Sequence, residues 1–204
     1  MAEFLPRNKK ALAAVLLVGD QRSARLIGVQ DTGTRERFEQ AVLPHLDAAY
    51  NLARWLTRNE HDAQDVTQEA FLRAFRFFDG YQGGNMRAWL MTIVRNTCYT
   101  WLRQNRPPEF AEEFDEEIHS SELAASANSE TQLLANSDKA TVHRALEELP
   151  DIFREVLVLR EMEGMSYKEI ADVASVSLGT VMSRLARART RLRESLGTAL
   201  GKES

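Results

Sequence analysis

Cysteine is almost absent from this chain: Cys98 is the only one in 204 residues. A lone thiol excludes an internal disulfide and any multi-cysteine metal site. Cys98 sits among apolar residues, which predicts a buried structural thiol rather than a redox sensor. The four histidines (His45, His61, His119, His143) are scattered without ligand spacing, so no metal is expected. No GxxxxGK[ST] loop is present and no nucleophile–base constellation emerges, so neither an enzyme nor a cofactor is expected. No apolar run is long enough to span a bilayer, and no membrane insertion is expected. Runs of β-branched residues and turn signals are few, which points to an all-α protein.

Net charge is also small, at −4, but it is segregated. Met86 to Arg106 holds four arginines and no acid, and Glu109 to Glu122 holds seven acids and no Lys or Arg. Segregation of this kind permits nucleic-acid binding by an acidic chain. Lys9-Lys10 and the apolar Ala11–Val18 resemble parts of a signal peptide, but the run is short and Gly19–Arg22 lacks a cleavage site. Residues 1–34 are expected to be a poorly ordered extension of a cytoplasmic protein.

The most informative stretch is Ser166–Arg193. Ser166 and Glu169 have the spacing of a capping box, and Ile170, Val173 and Ala174 give a short apolar face. The chain breaks at Ser175–Ser177, and Ser177 suits the N-cap of a second helix. There Leu178, Val181, Leu185, Ala188 and Leu192 recur at helical spacing and are expected to pack inward. Thr180, Ser183, Arg184, Arg187 and Arg191 fall on the outward face. Five arginines lie between Arg184 and Arg193 with no acid among them. This is the pattern of a helix-turn-helix DNA reader, with short polar groups near base edges and arginines on bases or phosphates. It outweighs the blander alternative, a solvated basic helix.

Residues 35–106 predict a first domain of three helices. The first runs Arg35–Arg58, entered or kinked at Pro44, with Leu46, Ala49, Leu52, Ala53 and Leu56 as its core stripe. Asp62 is the expected cap of the second, which reaches Phe78 with Val66, Ala70, Ala74 and Phe77 inward. Its opposite stripe is Asp65, Glu69, Leu72 and Arg76, flanked by Gln68 and Arg73. A leucine framed by charges is either a protein-docking face or one stray apolar residue on a solvated face. Periodicity leaves both open.

A loop with three glycines, Asp79–Asn85, precedes the third helix, Met86–Asn105. Trp89, Leu90, Ile93, Val94, Thr97 and Trp101 are expected in its core. Thr92, Asn96, Tyr99, Arg103 and Arg106, with Arg95 beside them, are expected outward. Cations interleaved with an aromatic suit a single nucleic-acid strand. A solvated face is the blander reading, which the DNA reader elsewhere in the chain outweighs. Pro107-Pro108 closes the domain, and residues 107–137 read as a flexible acidic linker. Residues 138–204 form the second domain, in which two helices, one around Val142–Leu149 and one from Pro150 to a stop at Gly164, complete the core of the helix-turn-helix.

Three segments together carry a resemblance. They are DAQDVTQEAFLRAFR (Asp62–Arg76), MRAWLMTIVRNTCYTWLRQNR (Met86–Arg106) and the stretch Leu149–Arg193. In this order, with an acidic linker between, the chain resembles extracytoplasmic-function (ECF) sigma factors of the sigma-70 superfamily over roughly residues 35–196.

The resemblance implies two small helical domains, region 2-like and region 4-like. It implies that Asp65, Gln68, Glu69, Leu72 and Arg73 dock on the clamp coiled coil of core RNA polymerase, whose flap is a further contact. Asn85, Arg95, Asn96, Tyr99 and Arg103 would read and melt the minus-ten element. Ser183, Arg184 and Arg187 would read the minus-thirty-five element, with Thr180 and Arg191 holding the backbone. An anti-sigma partner is expected by analogy.

Two positions depart from the family pattern. Ala174-Ser175 stands where the turn often carries glycine, and Met182 where Lys or Arg often follows Thr-Val. Promoter preference is therefore not expected to copy that of relatives. The linker acids Glu112, Glu113, Asp115, Glu116 and Glu117 are expected to occupy polymerase surfaces that otherwise hold nucleic acid. The rival readings are a helix-turn-helix regulator and a sigma mimic that sequesters an anti-sigma factor.

Overall fold

Pro44 bends the first helix as its missing N–H requires. In the computed structural model, which describes residues 32–105 and 139–201, helix α1 (Thr32–Val42) passes into a 3-10 turn at Leu43–His45, and α2 (Leu46–Thr57) follows. Phe38 anchors α1 edge-on between the rings of Phe75 and Phe78, at 5.1 and 5.2 Å. Helix α1 thus begins inside the stretch expected to be an extension. Residues 1–31, residues 106–138 with the whole acidic linker and its five named acids, and residues 202–204 lie outside the described residues.

Arg58 ends α2 in a left-handed conformation, φ 59°. Helix α3 (Glu60–Phe77) is capped by Asn59, whose side chain accepts from the His61 and Asp62 N–H groups. The expected cap, Asp62, instead sits inside the first turn, where its charge still suits the helix dipole. Ala63, Val66, Thr67, Ala70, Phe71 and Ala74 are buried. Phe77 is 64% exposed rather than inward, because α3 ends there and the chain leaves the core through a 3-10 turn at Phe78–Gly80.

Gly83 and Gly84 take φ of 92° and 103°, which other side chains rarely adopt. Asn85 accepts from the Ala88 N–H at 3.0 Å and so caps α4 (Met86–Asn105). Helices α2, α3 and α4 pack mutually around Leu52, Leu56, Val66, Leu90, Met91 and Val94. Cys98 is buried there, and burial pushes its thiol up, out of reach of ordinary thiolate chemistry.

The second domain comprises α5 (Lys139–Glu148), α6 (Asp151–Leu157) with a π turn at Val158–Met162, α7 (Tyr167–Ala174) and α8 (Leu178–Gly201). Gly164 (φ 64°) makes the predicted stop. The capping box forms in full: Ser166 N–H donates to Glu169 at 2.7 Å, and Glu169 N–H donates to the Ser166 hydroxyl at 3.2 Å. Ser175 takes the left-handed turn, φ 55°, so the missing glycine is tolerated. Ser177 accepts from the Thr180 N–H at 3.0 Å and caps α8. Val181, Leu185, Ala188 and Leu192 are buried as their spacing predicts. Leu178 is 50% exposed, because the first residue of α8 lies beyond the wall that α7 provides.

The two domains pack on each other, α4 against α7 and α2 against α6. Arg154, fully buried, crosses this boundary. Its guanidinium donates to the carbonyls of Leu146, Glu147 and Leu149, to Asp151, and at 3.1 Å to the Trp55 carbonyl of α2. Every donor direction of a buried cation is thereby used, which offsets its desolvation.

A candidate nucleic-acid and polymerase interface

Three surfaces carry the predicted residues. On α3, Asp65 is exposed and Gln68, Glu69, Leu72 and Arg73 are partly exposed. They lie on the side away from the buried Ala63–Val66–Ala70–Ala74 stripe. Arg73 donates to Glu69 at 2.7 Å one turn back. The structure therefore brings these five together as one charged face around a half-covered leucine.

The face of α4 is occupied from within the chain. Arg95 pairs with Glu155 of α6, a carboxylate with no exposure. The Tyr99 hydroxyl donates to the other oxygen of Glu155 at 2.7 Å, and the Arg95 guanidinium lies 4.6 Å from the centre of the Tyr99 ring. Burial works to lower the Arg95 pKa, but Glu155 more than compensates and holds it above its ordinary value. Burial, reinforced by Glu155, pushes the Tyr99 phenol well up. Arg95 therefore stays a cation and Tyr99 a neutral donor at neutral pH.

Tyr99, expected outward, is only 8% exposed because α6 covers it. Asn85 donates to Glu169 of α7, and Arg87 to Glu163 at 2.7 Å. Asn51 reaches the same Glu163 at 3.2 Å. Asn96 and Arg103 remain exposed. Of the five residues predicted for this face, three are held by carboxylates of the second domain.

On α8, Ser183 and Arg191 are exposed, and Thr180 and Arg187 partly so. The Thr180 hydroxyl lies 2.8 Å from that of Ser177, and Ser183 donates to the Thr180 carbonyl at 3.0 Å. Arg191 lies over Phe153, 4.9 Å from the ring centre. Arg184, expected outward, is 9% exposed, and its Nε and Nη1 have no hydrogen-bond partner. The drift of a 3.6-residue turn carries it round to the edge of the buried stripe.

Sequence reasoning missed Glu155 and Glu163, two of the carboxylates that engage the first domain. One signal was available. Arg154-Glu155 interrupts the apolar stretch Phe153–Leu159, and charges inside such a stretch demand buried partners. Among the described residues, no group of His, Cys, Asp or Glu is placed to hold a metal, and no helix is long and apolar enough to cross a membrane.

A helix-turn-helix joined to a second helical domain with a basic, aromatic-bearing helix defines a multi-domain DNA-binding protein. Comparison with known proteins narrows this. Residues 41–107 match the family model "Sigma-70 region 2", and residues 139–192 match "Sigma-70, region 4". The RNA polymerase sigma-H factor of Pseudomonas aeruginosa is 34% identical over 188 residues, spanning 88% of this chain and 96% of that protein. The ECF RNA polymerase sigma factor SigE of Mycolicibacterium smegmatis is 36% identical over 170 residues. That match spans 81% of this chain and 64% of SigE.

Among solved structures, the sigma factor RpoE in complex with the anti-sigma factor NepR from Bartonella quintana matches at TM-score 0.61 and 30% identity, covering 79% of this chain and 98% of that one. CnrH in complex with the cytosolic domain of CnrY matches at TM-score 0.57 and 28% identity, covering 93% and 97%. The chain belongs to the ECF sigma factors of the sigma-70 family.

Proposed function

We propose that this chain is a promoter-selecting subunit of RNA polymerase whose free form is closed, and that docking on core polymerase opens it. In this reading Asp65, Gln68, Glu69, Leu72 and Arg73 bind the polymerase clamp. Asn85, Arg95, Asn96, Tyr99 and Arg103 hold the melted minus-ten strand. Thr180, Ser183, Arg184, Arg187 and Arg191 engage the minus-thirty-five duplex. The division falls near residues 35–106 and 138–204, with the acidic linker setting the span. The chain would work in the cytoplasm and perform no catalysis of its own.

The observation that carries the reading is the engagement of Asn85, Arg95 and Tyr99 by Glu169 and Glu155. Groups suited to a nucleic-acid strand are occupied by carboxylates, anionic oxygen acceptors of the same kind as phosphate. A protein so arranged has little affinity for a melted strand until the domains part. Conformational closure lowers apparent affinity by the open fraction. An anti-sigma factor, the kind of partner with which RpoE is solved, would stabilise the closed form further.

Reconstitution with core RNA polymerase on a library of promoter fragments tests this. Selective initiation that needs both the chain and core polymerase is the expected result. Tight, sequence-specific duplex binding by the free chain, without any gain on adding polymerase, would instead make it an ordinary helix-turn-helix regulator.

A further inference from the structure

Helix α8 buries Val181, Leu185, Ala188 and Leu192, and at 100° per residue its opposite face is centred on Gly179, Met182, Ser183, Ala186 and Thr190, all exposed. The hydroxyl groups at the start of this face bond within their own helix. The Ser183 hydroxyl donates to the Thr180 carbonyl of its own helix at 3.0 Å, and Thr180 is joined to Ser177. The large side chains beside them are apolar. Leu178 and Met182 are 50% and 54% exposed, two of four large hydrophobic residues so placed among those described. With Ala186 they form a line at i, i+4, i+8. Arg193 continues this line, Arg187 and Arg191 stand on the other side of the exposed surface, about 140° and 180° round from Met182, and no acid occurs from Leu178 to Arg193. A helix surface that carries an apolar ridge on one side and cations on the other fits duplex DNA better than an oily or acidic protein groove, because the cations answer phosphate while the ridge enters the groove.

The major groove offers one apolar group to such a ridge, the 5-methyl of thymine. Guanine would present two acceptors, N7 and O6, to a thioether that cannot donate. We propose that Met182, supported by Leu178, reads thymine in the upstream promoter element through its methyl group. This rests on the promoter-reading role proposed above and gives that site its base preference. The ridge remains exposed while the α4 face is covered, so it is accessible whether the domains are closed or open.

The test uses holoenzyme reconstituted from core polymerase and the full chain. An upstream element is first selected from randomised DNA, and each thymine in it is then replaced by deoxyuridine, which removes only the methyl. At one or more positions the loss should weaken holoenzyme binding about fourfold, the worth of one buried methyl group. Met182→Ala holoenzyme should be indifferent to the same replacement. Met182→Arg should shift the selected base towards guanine, which a guanidinium can bridge.

A selected element without thymine, insensitivity to uracil in the unaltered protein, or full sensitivity retained in Met182→Ala overturns the inference alone. The same holds if Met182→Ala spares DNA binding but abolishes self-association or anti-sigma capture, which would place a protein on the ridge. Failure of the unaltered holoenzyme to select any upstream element overturns the promoter-reading role itself.

Discussion

Tyr99 donates its phenolic hydrogen to Glu155 across 2.7 Å, from α4 of the first domain to α6 of the second. The same carboxylate pairs with Arg95. A buried ion pair adds little net stability because both charges are desolvated, yet removing one partner is costly. Such a contact is therefore better suited to fixing which surfaces meet than to strengthening the fold.

Glu155→Ala should open the free chain. It leaves Arg95 facing an uncompensated buried site, a penalty of roughly 3–5 kcal/mol on the closed arrangement. Affinity of the free chain for a single-stranded minus-ten oligonucleotide should rise, as read by fluorescence anisotropy. Transcription by holoenzyme, already open, should change little. Unaltered oligonucleotide affinity would mean that Glu155 does not mask the strand-binding face.

Leu72→Glu should abolish docking on core polymerase while the helical circular dichroism and melting temperature stay near those of the unaltered chain. Leu72 is only partly covered, so its loss spares the α2–α3–α4 core, whereas a new charge at the centre of a docking face is expensive. Co-purification of the variant with polymerase would show the face to be misassigned.

Arg184 is buried with two guanidinium nitrogens unpartnered. Arg184→Met keeps the length of the side chain and removes those orphaned donors, each costing about 1–3 kcal/mol. The melting temperature should rise while promoter binding weakens. Arg187→Ala should lower promoter affinity by about 1–3 kcal/mol, the worth of a good base contact, without the gain in stability. A melting temperature that falls in Arg184→Met would show that the guanidinium is satisfied in solution.

Hydrogen bonds from Ser166, first its side chain and then its backbone, lower the Glu169 pKa below 4.5, with smaller help from Asn85 and Arg87. A carboxyl depressed in the folded state stabilises above its unfolded pKa and loses that contribution as pH falls through the folded value. The start of α7 and its link to Asn85 should therefore loosen below about pH 4.5. A carboxyl titration by NMR should find the Glu169 midpoint below 4.5, and Glu169→Gln should remove the dependence. A midpoint at or above that value would contradict the capping geometry.

What was legible in the sequence is mostly what depends on near neighbours. The Ser166–Glu169 box, the Ser177 cap, the Pro44 bend and the buried stripe of α8 each rest on spacings of a few residues. Distant partners were not legible. Tyr99 has the helical phase of an outward residue, and only α6, 56 residues further on, turns that side into an interior. Leu178 fits the α8 stripe by phase but lies at the helix start, where no neighbour covers it. Arg184 shows the opposite failure, a polar residue drawn under cover by the turn of the helix. The α3 face was legible as a pattern, since Leu72 among charges stood out before any packing was known.

The distance between the domains tests the account most directly. Cys98 is buried with its thiol pushed up, so cysteines introduced as Asp79→Cys and Thr190→Cys, both at exposed positions, can be labelled selectively for energy transfer. The account predicts efficient transfer in the free chain and a marked fall when core RNA polymerase is added. Low transfer in the free chain, or transfer that polymerase leaves unchanged, would contradict it.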